Sequence, residues 1–206
     1  SYKVFEASIN KPAGWTVTTT YKVGEGEAKA EAQTVEVSET TANTEIKNSY
    51  TQDVGKLTFT KSFSGAELTK EQTSGISFTV KNVSTNTEVG TYRLADITNP
   101  DGSYSKTIEN LPVGKYEVIE TNADVNGYTV TTTYKVNGTD SDKGAVEIAK
   151  DSENTVAITN NYIQLVSYTV KKEWNLNGTE GVMIPETITV QLTANGNSYG
   201  DRVVLH

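Results

Sequence analysis

The sequence predicts an all-β protein built as a β-sandwich, and three observations carry that expectation. Short runs in which β-branched or aromatic residues alternate with polar ones recur along the chain, among them KLTFTKSF (56–63), GISFTVKN (75–82), YEVIE (116–120) and YTVTTTYKV (128–136). A period of two is the mark of a strand with one buried face. Clusters of Gly, Asn and Asp such as NPDGS, NGTDSDKG and ANGNS stand between the runs as turns. Thr and Tyr are abundant while long Ala/Leu-rich periodic stretches are missing, so only AELTKEQ (66–72) reads as a helix, of about two turns.

In chain order, the elements arrange themselves by repetition. The octapeptide TVTTTYKV occurs at 16–23 and again at 129–136. Before the copies stand YKVFEASINKPAGW and YEVIETNADVNGY; after them come NTEIKNSY and NTVAITNNY. Three patches in the same order mean a duplicated domain rather than a low-complexity tract. Residues 53–163 form one complete unit. Residues 1–52 match only its second half, and residues 164–206 only its first half, with LVSYTVKKEW lying over VGKLTFTKSF and TITVQL over ISFTVK. The expected organisation is one whole sandwich flanked by two complementary half-domains. Because the cuts fall inside repeats, the chain reads as an engineered or proteolytic fragment of a longer array, with His206 as the stump of a tag.

Composition narrows the function classes. Eighteen Lys and Arg against 26 Asp and Glu give a net charge of −8, mixed along the chain, which argues against nucleic acid or an anionic membrane as the main partner. No apolar run approaches the ~18 residues of a spanning helix. Cys is absent and the single His is terminal, so neither a Cys/His nor a Ser/His/Asp constellation can form, and a conventional hydrolase is not expected. NGTDSDKG has oxygen ligands without calcium-loop spacing and reads as a solvated turn; LPVG at 111–114 lacks the Thr and the apolar tail of a sortase signal. No cofactor and no metal are expected.

Strand parity then isolates six polar residues. Leu57 and Phe59 place Lys61 on their own apolar face; Tyr116 and Val118 do the same for Glu120, and Val156 and Ile158 for Asn160. The flanking halves repeat the pattern: Tyr2 and Val4 lead to Glu6, Ile46 to Asn48, and Tyr168 and Val170 to Lys172. An unpaired buried charge is costly. Parity alone leaves two explanations open: a buried Lys–Glu pair with a hydrogen-bonded Asn (or simple fraying of the pattern at strand ends), and a reactive set.

The motifs KLTFTKSF, YEVIETNADVNGYTV and VAITNNY resemble the B-type repeat of Gram-positive collagen adhesins and pilins, the Cna-B family. Its marks are an opening strand with Lys and an aromatic two residues on (Lys61, Phe63), a YxVxE…GY segment (Tyr116 to Glu120, then Gly127 and Tyr128), and a closing NxY (Asn160, Tyr162). VKKEW offers Lys172 with Trp174; Glu6 with Gly14 and Trp15, and Asn48 with Tyr50, supply the rest. The resemblance implies an immunoglobulin-like sandwich and an intramolecular isopeptide bond, in which the Lys61 ε-amine attacks the Asn160 carboxamide and ammonia leaves. Burial favours the neutral, nucleophilic amine and equally a neutral carboxyl, which polarises the amide and moves protons. Glu120 would have that part, in a single-turnover reaction that does not make the protein an enzyme.

The resemblance further implies a wall-attached, extracellular stalk or shaft module. Lys172 would meet Glu6 and Asn48 of another copy, joining molecules head to tail into open chains or rings. One feature opposes a complete composite site: the counterpart of YSKTIENLP has no second copy. The alternative function class is a ligand-binding sandwich for a host protein or glycan, which the sequence supports with no clustered aromatic patch.

Overall fold

The structure is a computed structural model that describes residues 1–38 and 43–206. It divides into two compact units, Ser1–Leu165 and Val166–His206. The first contains β1 (Tyr2–Lys3), β2 (Trp15–Val23), β3 (Thr34–Val35), β4 (Thr44–Gln52), β5 (Val54–Gly65), α1 (Lys70–Thr73), β6 (Ser77–Asn82), β7 (Thr87–Arg93), a 3₁₀ turn (Leu94–Ile97), β8 (Tyr104–Pro112), β9 (Gly114–Thr121), β10 (Tyr128–Val136), β11 (Thr139–Ser141), β12 (Gly144–Ile148) and β13 (Glu153–Gln164). The all-β sandwich expected from the alternation is borne out. A five-stranded sheet, β11-β10-β13-β5-β8, faces a four-stranded one, β12-β9-β6-β7.

Alternation explains which side chains lie between the sheets. In β5, Leu57, Phe59 and Lys61 are buried while Thr58 and Thr60 are only partly covered. Phe59 and Phe78 pack across the gap with ring centroids 5.5 Å apart, and Val80, Val118, Val146, Val156 and Ile158 complete the layer. Full burial of each such side chain contributes about 1.5–3 kcal/mol. The two longest strands, β5 and β13, run parallel in the centre of their sheet, with Lys61 paired to Ile158 and Phe63 to Asn160.

Two local elements differ from expectation. The helix expected over 66–72 shrinks to Lys70–Thr73, because the Thr69 side chain accepts from the Gln72 N–H while Gln72 Oε1 accepts from the Thr69 N–H. That capping box starts the helix late. Just before it, Gly65 has φ +80°, and a Cβ there would fall 2.2 Å from the Tyr162 carbonyl oxygen, so only glycine lets the chain leave β5 beside β13. The run GTYRL ends as a strand at Arg93, whose N–H donates to Asp96 Oδ2 and turns the chain so that Leu94 and Ile97 enter the core.

The N-terminal segment reproduces the registers of the larger sandwich. β2 pairs with β4 from Trp15↔Gln52 to Val23↔Thr44, as β10 pairs with β13 from Tyr128↔Gln164 to Val136↔Val156. β1 pairs with β3 through Tyr2↔Val35, as β9 pairs with β12 through Tyr116↔Val146. Asp53 alone separates β4 from β5. Its N–H donates to the Gly14 carbonyl, and its carboxylate accepts from the Thr16 hydroxyl and sits 3.1 Å from Lys150 Nζ.

The second unit contains β14 (Ile188–Val190), β15 (Thr193–Ala194), β16 (Asn197–Ser198) and β17 (Val203–Leu205), paired β14–β17 and β15–β16. The β15–β16 hairpin turns on Asn195 and Gly196, both at positive φ, as a two-residue hairpin requires. Among the described residues no helix is long and apolar enough to cross a membrane.

Candidate functional site

Lys61, Glu120 and Asn160 meet at one end of the larger sandwich. β5 and β13 bring Lys61 and Asn160 together as diagonal neighbours on the inner face of one sheet. Glu120 arrives from the facing sheet, where β9 holds it opposite Phe78 of β6. Residues 40 to 99 positions apart in the chain thus converge because β5 and β13, far apart in sequence, pair in parallel and the two sheets stack.

The cluster is sealed from water. The side chains of Lys61 and Glu120 are 0% and 2% exposed, and Asn160 is fully buried. Aromatic rings close it off: Lys61 Nζ lies 5.2 Å from the Phe63 ring centroid, Phe63 packs on Tyr104 and Tyr162, and Tyr128 meets Tyr162 edge-on. The Tyr162 hydroxyl donates to the Ala123 carbonyl at 2.6 Å, and burial holds the phenol above its ordinary pKa.

Within this shell the polar groups are close but incompletely satisfied. Lys61 Nζ is 2.8 Å from Glu120 Oε1, and Asn160 Nδ2 donates to the same oxygen at 3.2 Å and to Tyr162 Oη at 3.3 Å. The Lys61–Glu120 approach is short without being aligned as a hydrogen bond. Lys61 Nζ, Glu120 Oε2 and Asn160 Oδ1 are left buried with no hydrogen-bond partner. Each such orphan costs about 1–3 kcal/mol or more. Desolvation lowers the Lys61 amine from the ordinary 10.5 to about 8, against the raising effect of Glu120. At neutral pH such an amine reaches its unprotonated form far more often than an exposed lysine does.

The second set of expected residues is placed differently. Glu6 and Asn48 meet in the first unit, Asn48 Nδ2 donating to Glu6 Oε2 at 2.8 Å. Thr19, directly across the β2–β4 register from Asn48, donates its hydroxyl to Asn48 Oδ1 at 2.6 Å. Lys172 belongs to the second unit, in a stretch without strand structure between Gln164 and Ile188. Its Nζ donates to the Glu173 carbonyl and lies 4.2 Å from the Trp174 ring centroid. Sequence reading passed over Thr19 and its counterpart Thr132, although the parity that singled out Lys61 was available for both. Tyr128, Val130, Thr132, Tyr134 and Val136 form the inward face of β10, and Thr132 is the one aliphatic alcohol on it. Among the described residues no group of His, Cys, Asp or Glu is placed to hold a metal ion.

The family model described as Domain of unknown function (DUF5979) matches residues 57–163, which span all three members of the cluster. No curated protein matches the sequence. Among solved structures the chain is similar to the T3.2 major pilin of Streptococcus pyogenes, at 20% identity and a TM-score of 0.43 over 75% of this chain and 64% of that one. It is also similar to another Streptococcus pyogenes major pilin, at 21% identity and a TM-score of 0.37 over 77% and 68% of the two chains. A third similarity is to the minor pilin GBS52 of Streptococcus agalactiae, at 17% identity and a TM-score of 0.36 over 65% and 57%. The chain spans just under two thirds of the first pilin's length.

Proposed function

This chain belongs to the DUF5979 family, and we propose that its 53–163 domain is a self-cross-linking structural module, a segment of a Gram-positive surface stalk or pilus shaft stabilised by a Lys61–Asn160 isopeptide bond. One observation carries the chemistry: Lys61 Nζ, Glu120 Oε2 and Asn160 Oδ1 are buried together, none with a hydrogen-bond partner, and Lys61 is held only by the ion pair to Glu120 Oε1. A plain ion pair leaves all three costs standing. Covalent union removes the charge on the amine and replaces two mismatched groups by one amide.

The reaction balances without any cofactor. Glu120 takes a proton from the Lys61 ammonium across the 2.8 Å contact. The freed lone pair forms a bond to the Asn160 carboxamide carbon, and the C–Nδ2 bond breaks. Glu120 passes that proton on to the departing nitrogen, which leaves as ammonia, and takes up the second proton that the Lys61 nitrogen releases as the amide forms. Fixing amine and carboxamide side by side can lower the barrier by up to about 7–11 kcal/mol. The product staples two central strands and closes a loop of roughly 100 residues, a stabilisation of about 3–5 kcal/mol by analogy with disulfides. A pull on the domain then loads a covalent bond instead of a ladder of hydrogen bonds, which suits an extracellular, wall-attached rod exposed to shear.

The flanking segments extend the proposal to other copies of this chain. Among the described residues of its own unit, no strand lies on the edge of β4 that corresponds to the β5 side of β13. In the second unit, Tyr168, Val170, Leu192, Tyr199, Val203 and Leu205 line an open groove of about 570 Å³. Insertion of the 164–174 segment of one molecule beside β4 of the next would bring Lys172 to Glu6 and Asn48.

The test is the intact mass of the denatured protein beside a reducing denaturing gel. A chain lighter by one ammonia, restored to full mass by Lys61→Met, supports the bond. A ladder of multiples that Lys172→Met abolishes supports head-to-tail joining. Full mass in the unaltered chain refutes the cross-link.

A further inference from the structure

The N-terminal copy of the site makes a contact that the complete copy lacks, and that contact falls on the reacting group. The Thr19 hydroxyl donates to Asn48 Oδ1 at 2.6 Å while Asn48 Nδ2 is held by Glu6. The carboxamide is therefore gripped at both ends, with a donor on the oxygen and an acceptor on the nitrogen. In the complete copy Asn160 Nδ2 is held by Glu120 in the same way, but Asn160 Oδ1 is buried with no partner. Thr132 occupies the register position opposite Asn160 that Thr19 occupies opposite Asn48. It is partly buried and lies on the inward face of β10, between Val130 and Tyr134. Directly opposed residues in an antiparallel pair have Cβ atoms about 4.5–5.5 Å apart, a distance one side-chain rotation of threonine can bridge.

We infer that Thr132 is a further catalytic residue of the cross-linking reaction, its hydroxyl donating to Asn160 Oδ1 as negative charge builds there. The inference rests on the isopeptide reading above. When the Lys61 lone pair forms the new bond to the carboxamide carbon, the C=O π pair moves onto Oδ1. In a site closed to water and lined by Phe63, Tyr128 and Tyr162, that charge needs a donor already in place. Glu120 is engaged with Lys61 Nζ and Asn160 Nδ2 through one oxygen, which suits it to proton transfer on the nitrogen side. Thr132 transfers no proton: it donates a hydrogen bond, the π pair returns, and the C–Nδ2 bond breaks with loss of ammonia. The same bond then satisfies the carbonyl of the product amide, which would otherwise remain a buried orphan.

The test compares Thr132→Val, Thr132→Ser and the unaltered full chain. Each is made by cell-free synthesis and quenched into denaturant at set times, and the fraction lighter by one ammonia is read by intact mass. Thr132→Val is expected to form the bond about 10²–10³-fold more slowly, the loss typical of removing one donor to a developing oxyanion, while Thr132→Ser stays within a few-fold. Folding is read separately, by near-ultraviolet circular dichroism of the same variants carrying Lys61→Met, which cannot cross-link. If Thr132→Val does not fold there, Thr132→Ala takes its place with the same expected loss. A folded Thr132→Val that reacts at the unaltered rate overturns the inference and leaves the isopeptide reading intact. Equal slowing by Val and Ser also overturns it, since packing and not the hydroxyl would then limit the rate. Full mass in the unaltered chain overturns both.

Discussion

The same pair of strands occurs twice in this protein with opposite fates. β2–β4 and β10–β13 share their register residue for residue, and each carries an Asn whose amide nitrogen is held by a Glu. Yet Ile158 and Tyr162 are 0% and 1% exposed, whereas their counterparts Ile46 and Tyr50 are 36% and 46% exposed. The difference lies in the neighbours. β13 is flanked by β5 and covered by the facing sheet, while β4 has β2 alone in its sheet. Pairing is thus specified locally by the strands themselves, but desolvation is supplied by elements far away in sequence. For chemistry that needs a dehydrated amine and carboxamide, the second is the decisive ingredient.

The comparison can be broken most strongly at Lys61. Lys61→Met should leave the chain at full mass and lower the stability of the 53–163 domain by about 3–5 kcal/mol, a fall in melting temperature on the order of 15 °C. Lys172→Met should leave that melt unchanged. Calorimetry of both variants decides it.

Burial predicts the next effect. Ile158→Ala should cost about 3 kcal/mol or more, as deletion from a closed core does, while Ile46→Ala on the identical register should cost less than about 1 kcal/mol. Denaturant titration of each against a shared baseline would show whether exposure sets the difference.

The pH dependence comes third. Asn160→Ala keeps Lys61 as a free amine with a pKa of about 8 in place of 10.5. Between those values the unfolded chain holds a proton that the folded chain lacks, so stability should rise as pH is raised through that window. The gain is roughly 3 kcal/mol relative to a double variant that also carries Lys61→Met. A flat difference between the two variants would mean that Lys61 is solvated in the folded state.

The smallest effect is at the joint between the two copies. The Thr16 hydroxyl and, after it, Lys150 hold the Asp53 carboxyl below its ordinary pKa. The contribution of that contact is present above the usual aspartate value and is lost as pH falls through the depressed one. Amide exchange at Asp53, whose N–H bonds the Gly14 carbonyl, should quicken there, and Asp53→Asn should show the quickening without the pH dependence.

Much of the site was legible in the sequence because strand parity is a strict rule. Lys61, Glu120 and Asn160 each continue an apolar stripe, and each has its side chain buried at the position parity indicates. Thr132 obeys the same rule and was passed over, since a threonine among strand residues raises no alarm by composition. The helix over 66–72 was overestimated because a capping side chain, which depends on rotamer and not on propensity, sets its start at Lys70. The 3₁₀ turn at Leu94–Ile97 was hidden because it depends on side-chain and long-range hydrogen bonds, from the Arg93 N–H to Asp96, from the Thr98 hydroxyl to the Leu94 carbonyl and from the Leu94 N–H to the Ile76 carbonyl.

The chain by itself determined the all-β class, the repeat and its register, and the inward face of the strands that carry Lys61, Glu120 and Asn160, though not the strands expected at Glu6 and Lys172, which do not form there. These follow from period-two alternation and from short-range pairing, both of which are local. Only the tertiary structure decided that Glu120 from one sheet meets Lys61 and Asn160 of the other, and that one copy of the strand pair is buried while its twin is exposed. Those outcomes depend on which strands lie side by side and on what covers them, and desolvation is a property of the assembled layers that no stretch of sequence carries alone.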